Sequence, residues 1–173
     1  MKSSNPVAMK WAMITALITM ISWFILYLTN LYMNQAVSWL LYVVYIIGMV
    51  MAMKEFRDKV NGGFMKYGTA FMIGFKVAAI TGLASSILGY IMSKWVDPSM
   101  MDAIKQKATQ DMIAKGLSDA QIDQAMNMTS FFFKPEFILI GGLIGALIFG
   151  AILSLIVAAF MKRDDPNAEP TAV

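Results

Sequence analysis

The chain has 173 residues, a length that fits one domain. Apolar residues make up 58% and charged ones 14%, against roughly 45–50% and 25% in soluble domains, so an ordinary water-soluble globule is excluded. A net charge of +3 is too small to point to nucleic acid, and the absence of cysteine and histidine removes disulfides, thiolate metal sites and the commonest general base.

Met1 to Lys10 is short, polar and basic. Residues 11–28 are apolar throughout, about 18 residues, the length of a spanning helix at about 1.5 Å per residue. A cleaved signal peptide is disfavoured, because no small-x-small pattern follows the run. Thr29 to Gln35 reads as an uncharged turn. A second apolar run covers 36–53. Residues 54–66 form a charged loop containing Asn61-Gly62-Gly63, a loop signal. The third run, 67–92, is interrupted only by Lys76. The fourth, 135–161, is long enough to span with some tilt. The tail, 162–173, is polar and contains proline, a composition that predicts disorder.

The one long segment that water could solvate is the insert 97–134. Asp97-Pro98 is a helix start, with Asp as N-cap and Pro at the first helical position. Met101, Ile104, Ala108 and Met112 fall on one helical stripe. Lys115-Gly116 is a stop signal, and Ser118 with Gln121 restarts the helix as a capping box. Ile122, Ala125, Met126, Thr129 and Phe133 make the second apolar face. Phe131 to Phe133 are placed where the chain re-enters an apolar environment. The predicted architecture is all-α: a single integral membrane domain of four transmembrane helices, with an extramembrane helical hairpin between the third and fourth.

Basic residues set the orientation. Lys2, Lys10, Lys54, Arg57, Lys59, Lys66, Lys162 and Arg163 fall on one side of a four-span topology, and Lys76 lies near it. On the other side the first turn is uncharged and acids outnumber the lysines of the insert. The positive-inside rule then places both termini in the cytoplasm. Trp11, Phe64 and Tyr67 mark one interface, and Tyr32, Trp39, Tyr90 and Trp95 the other.

Small residues recur every four positions in the third run, at Ala70, Gly74, Ala78, Gly82 and Ser86. The fourth run repeats this at Gly142, Ala146, Gly150, Ser154 and Ala158. Apolar helices gain nothing from the hydrophobic effect by meeting in lipid, so close backbone approach at small residues is what joins them. These stripes predict packing of the third helix on the fourth, or self-association. Lys76 reads first as a snorkelling anchor, its stem reaching back to the inner headgroups. The sharper reading of Lys76 is a ligand for an anionic lipid headgroup. Apart from Glu136 at the edge of the fourth run, no span contains Asp, Glu or His, which counts against proton-coupled transport. The methionines of the insert read as core filler rather than copper ligands. No nucleotide loop, catalytic triad or metal spacing occurs, so no cofactor is expected.

The second half of the chain resembles an uncharacterised family of bacterial integral membrane proteins, domain-of-unknown-function family 4199. The matching pieces are Tyr67-Gly68, Gly74-Phe75-Lys76 and Asp97-Pro98, then Gly116-Leu117-Ser118, Gln121-Ile122-Asp123 and Ala125-Met126. Phe131 to Pro135, Ser154-Leu155, Ala158-Ala159 and Lys162-Arg163 complete them. The resemblance implies a four-span protein of the bacterial inner membrane with an extramembrane helical insert, and brings no activity. The function expected is therefore a non-enzymatic accessory or structural membrane component. The alternatives are a subunit of a small oligomeric transporter or channel, and a sensor using the outer insert. The partners expected are the bilayer, an anionic lipid, and a membrane protein or a second copy of the chain, with no nucleic acid.

Overall fold

A long apolar run satisfies its peptide groups most simply within itself, as helix. The computed structural model, which describes residues 3–166, contains six α-helices and no β-strand among those residues. They are α1 Asn5–Leu28, α2 Gln35–Glu55, α3 Tyr67–Ile91, α4 Ser99–Ala114, α5 Asp119–Thr129 and α6 Pro135–Met161. Helices α1, α2, α3 and α6 are long and apolar enough to cross a membrane. At about 1.5 Å per residue, the 27 residues of α6 extend about 40 Å, more than the roughly 30 Å of a bilayer core. Of the tail, residues 167–173 lie outside the described residues.

The helices start and stop for local reasons, and not always where apolarity ends. Helix α1 begins at Asn5, ahead of the apolar run, because Pro6 suits a first turn. Helix α2 continues past its last apolar residue into a π-helical turn, Phe56–Val60. Charge does not stop it. The stop comes at Asn61, followed by Gly62 and Gly63 with φ of 70° and 91°. Helix α3 likewise ends in a π-helical turn, Met92–Val96. Between α1 and α2 the chain turns through a Schellman motif. Asn30 sits at φ 55°, and the Leu31 N–H donates to the Leu26 carbonyl at 2.8 Å. Asn34 then caps α2, its Oδ1 accepting from the Ala36 N–H at 3.0 Å.

The insert follows its predicted punctuation. Asp97 Oδ1 accepts from the Ser99 N–H at 3.1 Å, so the aspartate caps α4 although the helix proper starts after Pro98. Gly116, at φ 79°, ends α4 in a second Schellman motif, with the Leu117 N–H on the Met112 carbonyl at 3.2 Å. The Ser118 N–H donates to Gln121 Oε1 at 3.0 Å and opens α5. Met101 and Ile122 are buried, while Lys107, Asp111, Asp119 and Asp123 are exposed. Ser130–Phe133 form a 3₁₀ turn before α6.

Backbone contacts group into two units. One is Met1–Gly82 with Gly145–Val173, and the other is Leu83–Ile144. The main core belongs to the first and is built mostly of small or flexible side chains: Ala8, Ala12, Met49, Ala52, Met53, Ala70, Ala78 and Ala158, with Ile73, Val77 and the buried ring of Phe56. Larger apolar side chains face outward. On α6, Ile140, Ile144, Ile148, Ile152, Ile156 and Phe160 recur every four residues and are all exposed, Phe160 at 83%.

In the first unit α1 and α2 meet at a notch. Thr15 is 2% exposed and seats its side chain against Gly48, where an added Cβ would overlap the Thr15 hydroxyl. Gly145, on α6, faces open space instead. Gly48→Ala should therefore destabilise the fold by about 1–3 kcal/mol, the usual cost of overpacking. Gly145→Ala should be neutral or slightly stabilising. Thermal unfolding in detergent checks both, and adding Thr15→Ala to Gly48→Ala should recover most of the loss.

Candidate functional site

Helices α3 and α6 meet along their small residues. In the first unit an added Cβ at Gly82 would run into the Ala146 Cβ, and one at Gly150 into the Ala78 Cβ. A Cβ at Gly74 would lie 2.9 Å from Ser154 Oγ. In the second unit a Cβ at Gly142 would lie 2.9 Å from Ser86 Oγ. In the first unit each step of four along α3 is matched by a step of four back along α6, so these parts of the helices run antiparallel in one register. Ala70 and Ala158, at the next step, are both fully buried. The same register holds beyond the helix ends. Met65 and Arg163 form an isolated antiparallel bridge, with Met65 N–H on the Arg163 carbonyl at 2.7 Å and Arg163 N–H on the Met65 carbonyl at 2.9 Å.

Around this seam the first unit carries a polar layer. Lys76, half-buried, donates from Nζ to Asn5 Oδ1 at the start of α1. Its side chain thus leans toward the N-terminus of α3, the direction a helical side chain takes by default. Thr81 donates to the Ala12 carbonyl at 3.4 Å and Tyr45 to the Ala78 carbonyl at 3.2 Å. Thr15 and Thr19 are buried with no hydrogen-bond partner for their hydroxyls, and so is the Ser85 hydroxyl in the second unit.

A second cluster lies at the end of α2. Glu55 accepts from Lys10 Nζ at 2.6 Å and from Trp11 Nε1 at 2.7 Å. Lys10 also lies 5.5 Å from the centroid of the Trp11 ring. Arg57 pairs with Asp58 at 2.7 Å and donates to the Met161 carbonyl at 3.3 Å. Sequence reasoning left Glu55 in a loop without a role. Its only signal was an acid flanking an apolar run, and nothing local names a partner more than 40 residues away. Among the described residues no group of three His, Cys, Asp or Glu comes together as a metal site.

A model of the family described as proteins of unknown function, DUF4199, matches residues 10–163. The chain belongs to that family. No curated protein and no solved structure matches it. The stretch matched to DUF4199 contains the whole α3–α6 seam, Lys76, Glu55 and both partners of the Met65–Arg163 bridge.

In this DUF4199 chain the seam and Lys76 make separable demands. Gly150→Ala should cost about 1–3 kcal/mol, because Ala78 Cβ is fixed to its backbone and cannot yield as a long side chain could. Ile148→Ala, on the exposed face of the same helix, should cost less, as read from melting temperature. Lys76→Gln and Asn5→Ala should be non-additive. A coupling of about 0.6 kcal/mol is the ordinary size for a hydrogen bond between helices in a bilayer. A double-mutant cycle on detergent-solubilised protein measures it.

Proposed function

We propose that the chain is a multi-pass protein of the bacterial inner membrane, with both termini cytoplasmic, acting as a non-enzymatic accessory or structural component. The observation that carries this reading is the distribution of apolar side chains. Four helices have spanning length, close contacts between them use alanine, glycine, serine and methionine, and most of their leucine and isoleucine side chains point outward. In water such contiguous apolar surface would drive aggregation. In lipid it costs nothing, and small-residue contacts are what hold helices together there.

Orientation rests on the distribution of lysine and arginine, which favours a cytoplasmic 54–66 segment and an insert on the outer side. The Lys76 ammonium has a partner within the protein, Asn5 at the start of α1, which favours a structural role over lipid binding at this residue. The accessory role rests on what the seam does chemically. It joins helices through alanine, glycine and serine, a structural task.

The chain has no cysteine, so single introduced cysteines report topology cleanly. In intact cells a membrane-impermeant maleimide should label Gln110→Cys directly and Asn61→Cys only after permeabilisation. The reverse pattern would invert the orientation, and release of the protein by alkaline carbonate would remove the membrane reading altogether.

A further inference from the structure

The seam ends in a pair of like charges. One further step of four from Ala70 and Ala158 reaches Lys66 on one strand and Lys162 on the other. The antiparallel bridge between Met65 and Arg163, one residue away on each strand, sets the same register. Lys66 and Lys162 are thus placed across from each other, and both are exposed. Like charges in directly opposed positions repel. Among the described residues no ion pair joins either lysine to an acid.

The surroundings deepen the positive potential. Arg163 lies in the bridge itself, and its guanidinium is 5.9 Å from the centroid of the Phe64 ring. Lys54 and Lys59 are exposed at the end of α2. Of the nearby acids, Glu55 is held by Lys10, while Asp58 pairs with Arg57 and also lies close enough to Lys54 and Arg163 to offset part of their charge. Asp164 and Asp165 come next in the tail and temper the field. In the second unit, by contrast, exposed Lys94 has an acid of its own, Glu136 at 3.0 Å. Among the described residues no ion pair of that kind is seen at Lys66 or Lys162.

We infer that the Lys66–Lys162–Arg163 clasp is a docking surface for the phosphate of an anionic lipid headgroup. The inference rests on the membrane reading above and adds to it a particular surface and ligand class. Lipid is the occupant because of position and charge. Lys66 immediately precedes α3 and Lys162 immediately follows α6, two helices apolar enough to cross a bilayer, so the pair lies at headgroup depth beside exposed Tyr67 and Phe160. A basic cluster next to spanning helices attracts anionic headgroups. A phosphate between the two ammonium groups also relieves the repulsion that the register imposes. Lys76, already bonded to Asn5, is not part of this surface.

The test uses the full-length protein in nanodiscs of phosphatidylcholine containing a minor fraction of phosphatidylglycerol. Lipids retained after gentle release are counted by native mass spectrometry. The wild type should retain phosphatidylglycerol over phosphatidylcholine. Lys66→Gln with Lys162→Gln should lose that preference by about fivefold per lysine removed. Lys66→Arg with Lys162→Arg should keep most of it, which also guards against a folding defect in the glutamine variant. Lys105→Gln with Lys107→Gln, on α4, should leave it unchanged. Equal retention by wild type and the Lys66/Lys162 glutamine variant, or an equal loss in the α4 variant, would overturn the clasp. Competition by soluble glycerophosphate or by an acidic peptide as effective as that by phosphatidylglycerol would overturn lipid as its occupant. Carbonate extraction separates the two levels: an integral protein without lipid preference removes only this inference, and a released one removes the membrane reading as well.

Discussion

Two helices that carry a small residue every fourth position can approach until their backbones nearly touch, and in the first unit α3 and α6 do so. Ala78 against Gly150 and Gly82 against Ala146 leave no room for a further carbon atom. That proximity constrains the adjoining segments. Once these rungs are seated, the chain on either side has little freedom, and Met65 and Arg163 come into bridging distance. The same register puts two lysines opposite each other at the mouth of the seam. A structural device made of alanine and glycine thereby decides the placement of charge.

The remaining helices of the first unit pack on this seam through Ala8, Ala12, Met49, Met53 and Phe56, and single polar contacts orient them. Thr81 reaches Ala12, Tyr45 reaches Ala78, and Lys76 reaches Asn5. Each hydrogen bond joins an outer helix to α3. In a medium that offers no water, an unsatisfied hydroxyl or ammonium is costly, so such contacts favour particular orientations even where each contributes little to stability. The Lys10–Glu55–Trp11 cluster does the same at the end of α2. It contains one ion pair and one indole donor on a single carboxylate. An exposed pair of this kind adds little to stability but fixes which turn of α1 faces which turn of α2.

The apolar surface is as informative as the interior. A soluble domain puts its leucines and isoleucines inside and leaves alanine where it falls. Here alanine and methionine fill the core while the isoleucine stripe of α6 faces outward. The inversion is the one expected of the solvent that the proposal assigns. Where the surroundings are themselves hydrocarbon, large side chains gain nothing by leaving them, and close packing of small ones is the remaining source of cohesion.

How much of this was legible in the sequence depends on the range of the interaction. The helix content, the four long apolar helices, and the breaks at Gly116 and Ser118 were readable, because capping and apolar length act within a few residues. The extents of α2 and α3 were less so. Their π-helical ends run through charged residues that composition marks as loop, and backbone hydrogen bonding does not stop where apolarity does. The two small-residue stripes were visible as patterns, but a repeat of four matches itself after any slip of four. Pairing of Gly82 with Ala146 rather than with Gly142 or Gly150 could not be read from it. Only the tertiary structure decided that register, and with it the partners of Glu55 and Lys76 and the opposition of Lys66 to Lys162. These depend on segments far apart in the chain meeting at one depth, which local preference does not encode.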